Sequence, residues 1–292
     1  MARRSDWRAR LSDAQVREIE RALAAATATG KPTREMTAED FPLGSLVGEI
    51  RRWKNEIEQG RGFQVVSGVP VEGWSQDEAE RFFWCLGLHM GRPGAQNPAG
   101  DLLGHVLDSG EDAKDPFVRL YQTSSNIRYH CDAADVVGLL CLRRAKSGGA
   151  SRIVSSVSVY NELLARRPDL VLRLYEPFFL DVRNEDSSGE LRHLPIPPCR
   201  FADGTLRTFF HSDYFRSVQR HDDVPPFTRD EQELLDGYEA IASDPDFYLD
   251  MELEPGDVQW LSNHSILHAR TAYEDYEDPQ RKRHLLRLWL SL

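Results

Sequence analysis

Cysteine is scarce in this sequence, with four residues among 292. They are Cys85, Cys131, Cys141 and Cys199, and no two of them form a C-x-x-C pair. This pattern argues against a disulfide framework and against a thiolate zinc site, and it fits the reducing cytosol. We therefore expect a cytoplasmic protein whose stability comes from its hydrophobic core.

Long apolar runs and a surplus of positive charge are also missing. No uninterrupted apolar stretch approaches the roughly 20 residues that cross a bilayer, and the first residues, MARRSDWRARLSDAQ, have no apolar segment behind their charges. The 36 Lys and Arg residues are outnumbered by 47 Asp and Glu residues, so the formal net charge is −11. Such a chain repels phosphate backbones and anionic lipids. We therefore expect neither a nucleic-acid partner nor a membrane partner.

The first ninety residues are predicted to form mostly helices. Ser12 and Ser75 each open a capping box, with Gln or Glu three residues later, and a helical stripe of apolar residues follows each of them. A third apolar stripe covers 46–57, and the β-branched segment GFQVVSGVP at 62–70 indicates a strand. We expect these helices to pack against a sheet.

Strand-like segments dominate from about residue 117 onward. Short runs bounded by turn residues occur at 136–142, 178–182, 207–211, 247–253, 257–262 and 284–292. Two helical segments interrupt them, one at 158–174 that is broken at Pro168 and one at 229–242. The spacing predicts a mainly β fold with helical additions, a β-sandwich or jelly roll. No repeat or linker is apparent, so a single domain over 1–292 is expected.

Nine histidines are present, and most are expected to serve in packing or at the surface. Two belong to H-x-D pairs, His130 with Asp132 and His211 with Asp213. In an extended segment, residues i and i+2 point to the same face, so each pair offers one imidazole and one carboxylate to a single ion. A histidine from a distant strand would complete the two-histidine, one-carboxylate set of Fe(II) oxygenases. The spacing alone does not decide which of the two pairs binds the metal.

The surroundings of the first pair resemble a known family. The segments GRGFQVVSGVP, YHCDAADVVGLLCLRRAKSGGAS, NHSILHARTAYED and RKRHLLRLWL are together similar to the taurine dioxygenase and 2,4-dichlorophenoxyacetate dioxygenase (TauD/TfdA) family of Fe(II)- and 2-oxoglutarate-dependent oxygenases. The resemblance covers about 60–292 and leaves 1–60 as an N-terminal helical extension. It implies a double-stranded β-helix, a cupin-like jelly roll, with helical additions.

The resemblance implies that His130, Asp132 and His268 bind Fe(II). Their long separation along the chain is what this family shows, because a large insertion lies between the two motifs. The rival set combines His211 and Asp213 with His268, at a separation that suits oxygenases with compact cores. If the first set is right, the rival histidine and aspartate lie near the pocket or form a polar pair at a strand end.

The same resemblance assigns ligand-binding residues. Arg283 matches the arginine that binds the distal carboxylate of 2-oxoglutarate, and Ser151 matches the hydroxyl that assists it. Arg287 matches an arginine that holds the anionic end of the substrate, and Asn126 occupies a position that lines the substrate pocket. A guanidinium suits a carboxylate because it donates two parallel hydrogen bonds.

Strand parity agrees with the assignment of the two arginines. Arg283 and Arg287 lie at even separation on the closing strand, together with Arg281 and Trp289, so we expect all four side chains on one face. The alternative for each arginine is a surface ion pair, for Arg287 with Glu274 or Asp275. Three aromatic side chains could form either the pocket wall or the core: Tyr121, Phe210 and Tyr214. The thiol of Cys131 is expected to be packed in the core.

These residues predict an Fe(II)- and 2-oxoglutarate-dependent dioxygenase. It would use O2 to hydroxylate an aliphatic C–H bond of a small, anionic substrate, with release of succinate and CO2. Desaturation or ring closure could use the same ligands. A non-catalytic β-helix protein that binds a small acid and a zinc-dependent hydrolase are further alternatives. The sequence does not identify the substrate, and it is compatible with a homo-oligomer.

Overall fold

The computed structural model describes residues 7–113, 115, 117–183, 185–186, 189–202 and 204–292. The α-helices in these ranges are α1 (Asp13–Ala28), α2 (Leu46–Glu58), α3 (Gln76–Met90), α4 (Ser156–Arg166), α5 (Pro168–Val171), α6 (Ser212–Ser217) and α7 (Arg229–Ala242). Across the described ranges, no helix has both the length and the apolar character needed to cross a membrane.

The strands of the same ranges are mostly short. They are β1 (Arg8–Arg10), β2 (Phe63–Ser67), β3 (Arg92–Gly94), β4 (Leu103–Val106), β5 (Ile127–His130), β6 (Val136–Arg143), β7 (Ser147–Gly148), β8 (Ser151–Ser155), β9 (Phe178–Asp181), β10 (His193–Ile196), β11 (Cys199–Ala202), β12 (Thr205–Thr208), β13 (Tyr248–Met251), β14 (Val258–Ser262), β15 (Ile266–Arg270), β16 (Tyr273–Glu274) and β17 (His284–Ser291). Strands β7 with β16, β9 with β10, and β11 with β12 form separate two-stranded ribbons.

The larger sheet has the strand order β1-β2-β14-β6-β17-β3, and β4 also pairs with β17. Its central pairs are antiparallel, whereas β1 runs parallel to β2. Leu286, Leu288 and Leu290 of β17 alternate onto one face, where they join the core cluster that contains residues of α1, α2 and α3. The helices predicted near the N-terminus therefore pack against a sheet, as expected.

The smaller sheet has the order β13-β8-β15-β5. Side chains from both sheets meet in one core cluster: Val137, Leu261 and Trp289 from the larger sheet, and Ile153, Met251 and Ile266 from the smaller one. Helices α4, α5 and α7 belong to a cluster that includes Val154 and Leu267 on the other face of the smaller sheet. Two facing sheets with helices outside them agree with the predicted mainly β fold with helical additions.

Local signals in the sequence set several element boundaries. The helix predicted at 229–242 has those bounds, and Thr228 caps it. Pro168 separates α4 from α5, because proline cannot continue the preceding helix. The strand predicted at 207–211 is partly wrong, since β12 ends at Thr208 and the chain then leaves the ribbon. His211 instead forms an isolated bridge with His130.

Candidate active site

The three predicted metal ligands come together where β5 ends. His130 is the last residue of β5 and is paired directly with His268 of β15, and Asp132 follows two residues later. Nε2 of His268 lies 3.5 Å from Asp132 Oδ2, and Nε2 of His130 lies 3.8 Å from Oδ1. One ligand atom from each residue lies within 4.8 Å of the other two. A single ion can therefore reach all three.

The protonation states of His130 and Asp132 suit a metal. Burial and the charge of His268 lower the pKa of His130 to about 3, so its imidazole is neutral. Nδ1 of His130 donates to the carbonyl oxygen of Arg128 at 2.9 Å, which leaves the Nε2 lone pair for a metal. Burial alone would raise the pKa of Asp132, but the hydrogen bond with His268 and nearby positive charges hold it well below its ordinary value. The set fits Fe(II).

Two residues without a predicted role, Trp289 and Asn263, form hydrogen bonds with Asp132. The indole Nε1 of Trp289 donates to Asp132 Oδ2 at 2.9 Å. The backbone N–H of Asp132 donates to Asn263 Oδ1 at 3.0 Å. Partners of this kind orient a ligand before the metal arrives. Period-two parity placed Trp289 on the correct face of β17, but it did not indicate which atom the indole would reach.

We expect the Trp289→Phe substitution to weaken Fe(II) binding by about 10- to 100-fold, because it removes the N–H that orients Asp132 and keeps an aromatic ring. The measurement is an anaerobic competition between the protein and a coloured chelator. Trp84→Phe is the matched control, since Trp84 is 3% exposed and its indole nitrogen has no hydrogen-bond partner in the described ranges. Equal Fe(II) affinity of the Trp289→Phe and Trp84→Phe proteins would contradict this role.

The rival ligand set is not assembled. His211 and Asp213 line the same cavity as the triad, and the rings of His211 and His130 are 4.9 Å apart. However, the only group of three potential ligands found within the described residues is the set of His130, Asp132 and His268. Burial raises the pKa of Asp213 and lowers that of His211. These two residues belong to the wall of the pocket.

Ser151 and Arg283 both line this cavity. Arg283 is 6% exposed, its Nη1 has no hydrogen-bond partner, and no carboxylate of the described chain lies within ion-pair distance of it. Gly149, at φ +73°, allows this approach, because a Cβ there would lie 3.0 Å from Arg283 Nε. Burial lowers the pKa of Arg283. A buried cation without a carboxylate partner is costly, so the site fits the distal carboxylate of 2-oxoglutarate.

Arg270 also lines the cavity, although no role was predicted for it. Arg270 is 6% exposed and pairs in register with Ser151. Its Nη2 donates to backbone carbonyls, including that of Thr123 at 2.7 Å, while Nε and Nη1 are buried without partners. Burial and the charge of Arg283 lower its pKa to about 10. A signal was present, since Arg270 follows His268 by two residues and therefore shares its strand face.

Arg287 lies on another part of the cavity wall. Its Nε donates to Gln96 Oε1 at 2.7 Å, and burial lowers its pKa. The surface ion pair considered for it is wrong, because Glu274 pairs with Lys146 and Asp275 accepts the backbone N–H of Arg283. The expectation that Arg281 shares this face is also wrong, because that exposed residue ends a 3-10 turn before β17 begins.

The structure separates Asn126 from the other predicted residues. Its side chain is exposed and lines a different surface depression, whereas Ile127 lines the cavity. The reason is an irregularity in strand pairing: His268 pairs with His130, but Arg270 pairs with Ile127, so β5 carries an extra residue. Such a bulge reverses the alternation of side chains, so Ile127, and not Asn126, shares the cavity face of His130.

Of the aromatic residues whose position the sequence left open, two line the cavity and one lies in the core. Tyr121 and Tyr214 line the cavity, whereas Phe210 belongs to the core cluster beside the smaller sheet. Cys131 is the packed thiol that was expected. It is 1% exposed, and burial raises its pKa to about 12. Neither Arg119 nor Arg183, which also line the cavity, was anticipated.

Comparison with known proteins gives matches along nearly the whole chain. The sequence model of a family described as "Taurine catabolism dioxygenase TauD, TfdA family" matches residues 27–289. "FR-33289 synthase" of Streptomyces rubellomurinus is 32% identical over 300 residues, which cover 99% of this chain and 86% of that protein. "Taurine hydroxylase-like protein SAT17" of Stachybotrys chartarum is 29% identical over 288 residues, with 95% and 73% covered. These matches extend the resemblance into the first sixty residues, which the motifs had left outside it.

Solved structures share the fold. An asparagine oxygenase in complex with Fe(II), 2S,3S-3-hydroxyasparagine and succinate aligns with a TM-score of 0.77 and 16% identity, covering 97% of this chain and 93% of its own. The non-heme iron oxygenase OrfP with Fe and alpha-ketoglutaric acid aligns with a TM-score of 0.71 and 16% identity, covering 97% and 94%. At such identities the likeness concerns the fold, and it confirms the predicted jelly-roll architecture.

Proposed function

This chain belongs to the TauD/TfdA family of dioxygenases, and on that premise we propose that it hydroxylates an aliphatic C–H bond of a small anionic molecule. As a member of that family it is an oxygenase that depends on Fe(II) and 2-oxoglutarate. One observation carries the proposal: a single cavity contains the His130, Asp132 and His268 triad together with two buried arginines, Arg283 and Arg287, that have no carboxylate partner within ion-pair distance in the described chain.

The residues of the cavity would have different roles in the reaction. When bound, Fe(II) and 2-oxoglutarate supply the oxidising chemistry, in which O2 and 2-oxoglutarate give succinate and CO2 and one oxygen atom becomes the hydroxyl of the product. The triad would hold the iron through two imidazole nitrogens and one ionised carboxylate. Arg283, together with Ser151, would orient 2-oxoglutarate by its distal carboxylate. Arg287 would anchor the substrate so that one C–H bond faces the metal.

Hydroxylation is favoured over other outcomes by what related proteins bind. The asparagine oxygenase structure contains a 3-hydroxyasparagine, and OrfP structures contain hydroxylated arginines. One curated relative is described as taurine hydroxylase-like. These names support insertion of a hydroxyl group here, while desaturation and ring closure remain alternative outcomes on the same ligands.

A substrate screen tests the proposal. The protein is incubated with Fe(II), 2-oxoglutarate, O2 and a panel of small amino acids, sulfonates, phosphonates and carboxylates, and succinate is measured. With isotopically labelled O2, one labelled atom should appear in succinate and one in the product. A zinc hydrolase or a non-catalytic binder would form no succinate. A product that loses two hydrogens without gaining oxygen would replace hydroxylation by desaturation or ring closure.

We expect Arg287→Gln to lower kcat/KM for the best anionic substrate by about 30-fold or more, because truncating one partner of a buried charge pair costs about 2 to 5 kcal/mol. The affinity for 2-oxoglutarate should be preserved. Steady-state kinetics and 2-oxoglutarate titration are the measurements, and Arg281→Gln, at an exposed arginine of the same segment, is the control. A best substrate that is neutral or cationic would refute the assignment of Arg287.

A further inference from the structure

The cavity wall around Arg287 contains a second guanidinium group at close range. The guanidinium carbons of Arg119 and Arg287 lie 5.3 and 4.5 Å from the centre of the Tyr121 ring, and 5.6 and 5.1 Å from the centre of the Trp289 ring. Like charges this close repel each other, and they do so more strongly in a buried site, where the effective dielectric is low. This arrangement needs negative charge nearby.

One buried residue, Gln96, holds both guanidinium groups. Its backbone carbonyl accepts a hydrogen bond from Arg119 Nη1, and its side-chain oxygen accepts one from Arg287 Nε at 2.7 Å. Its amide nitrogen donates to the backbone carbonyl of Arg287 at 2.9 Å. Because Gln96 is only 3% exposed, the orientation of both groups is built into the fold.

Both arginines keep terminal N–H groups for a ligand. Neither terminal nitrogen of Arg287 has a hydrogen bond within the described chain, since its side chain bonds only through Nε. Arg119 uses Nη1 for Gln96 and places Nε 3.3 Å from a carboxylate oxygen of Glu185, so Nη2 has no partner among the described residues. The pair therefore presents donors from two guanidinium planes.

A third arginine, Arg183, lines the same cavity and has an unusual backbone. Its φ of 51° is the only positive φ of a non-glycine residue in the described ranges. Its N–H donates to Asp181, and its side chain donates through Nε to Ser217 Oγ and through Nη2 to the carbonyl oxygen of Asp213, which leaves Nη1 without a partner. Strain of this kind persists only where the surrounding structure imposes it, often at ligand sites.

The acidic groups near these cations do not balance them. Glu185 is shared, since it faces Arg119 and accepts a hydrogen bond from the Tyr214 hydroxyl at 2.7 Å. Asp213 lies 3.5 Å from Arg128, and burial raises its pKa. Asp132 would be neutralised by Fe(II). Neither Arg183 nor Arg287 has a carboxylate within ion-pair distance in the part of the chain described.

We infer that Arg119, Arg183 and Arg287 bind a doubly charged tetrahedral group of the primary substrate, a phosphonate or a phosphate. A planar carboxylate is satisfied by one guanidinium fork, and it carries one charge. A tetrahedral dianion presents three oxygens in different directions, which suits donors from several guanidinium planes. Its two charges compensate Arg183 and Arg287, the two arginines that have no carboxylate within ion-pair distance in the ranges that the structure describes. The inference rests on the proposed function, since it names the anionic group of that substrate.

Four probes with the same propyl chain test the inference: propylphosphonate, propyl phosphate, 1-propanesulfonate and butyrate. Binding is measured by anaerobic calorimetry on protein loaded with Fe(II) and 2-oxoglutarate, at a pH above the second pKa of both phosphorus acids, so that each of them is a dianion. The sulfonate has the tetrahedral shape with one charge, and the carboxylate lacks both the shape and the second charge. We expect each dianion to bind at least about tenfold more tightly than either monoanion, as one additional charge-assisted hydrogen bond would give. The two dianions distinguish phosphonate from phosphate ester.

Variants assign the preference to Arg119. Arg119→Gln should weaken dianion binding at least about tenfold and leave butyrate binding within about twofold, whereas Arg119→Lys should retain most of the preference. Thermal unfolding checks that each variant is folded. The inference is overturned if the sulfonate binds wild-type protein as tightly as the phosphonate, if neither dianion binds, or if Arg119→Gln weakens all four probes equally.

The same samples separate this inference from the proposed function. The visible charge-transfer band of chelated 2-oxoglutarate is recorded before each titration. If the band does not form, the proposed function fails. If the band forms and the dianion preference is absent, only the tetrahedral-dianion inference fails.

Discussion

Replacing His130 by alanine is expected to lower Fe(II) affinity by more than about 100-fold, because loss of a residue that only orients a ligand already costs about 10- to 100-fold. His130 is a half-buried neutral imidazole whose Nε2 faces Asp132 and whose partner in the sheet is His268. Anaerobic mixing of wild-type protein with Fe(II) and 2-oxoglutarate should give a visible charge-transfer band. The His130→Ala protein should not show that band at Fe(II) concentrations that saturate the wild type.

His211→Ala provides a closely matched comparison. The ring of His211 is 4.9 Å from that of His130, and the two residues form a backbone bridge, so both substitutions disturb the same corner of the cavity. Only His130 belongs to the group of potential ligands. We therefore expect the His211→Ala protein to keep the band. A normal band in His130→Ala together with its loss in His211→Ala would reverse the assignment.

Replacing Arg283 by alanine is expected to weaken 2-oxoglutarate binding by about 2 to 5 kcal/mol, which is at least about 30-fold, and to leave Fe(II) binding unchanged. The size of the effect follows from burial, because Arg283 is 6% exposed and the carboxylate that enters would be left without its cation. Fe(II) affinity should not change, since Arg283 is not among the potential ligands. The measurements are the titration of the charge-transfer band with 2-oxoglutarate and the KM for 2-oxoglutarate.

Two further variants control this result. Arg281→Ala removes an exposed arginine of the same segment, stacked on Tyr276, and should leave the KM unchanged. Arg283→Lys keeps the charge and loses the planar fork, so an intermediate loss is expected. An unchanged KM in Arg283→Ala would transfer the role to Arg270, whose buried Nε and Nη1 also lack partners and which lines the same cavity.

The sequence predicted the three potential metal ligands that the structure brings together, because these residues depend on short-range geometry and on recognisable motifs. His130 and Asp132 stand two residues apart in an extended segment, and the NHSILHAR segment supplies His268. Parity on β17 likewise placed Arg287 and Trp289 on the cavity side and the leucines under the helices. Capping boxes and Pro168 set helix ends, since these signals act within a few residues.

The sequence by itself therefore determined the features that depend on neighbouring residues within one helix or strand. These are the helix caps, the face on which a strand residue lies, and the H-x-D pair. Tertiary structure decided the rest. The bulge that turns Asn126 away from the cavity arises from the pairing of β5 with β15, more than a hundred residues later. Arg119 and Arg183 reach the cavity from segments outside the strands and helices, where no periodicity indicates direction. The physical reason is that strand register and loop paths follow from contacts between residues distant in sequence, which local patterns do not encode.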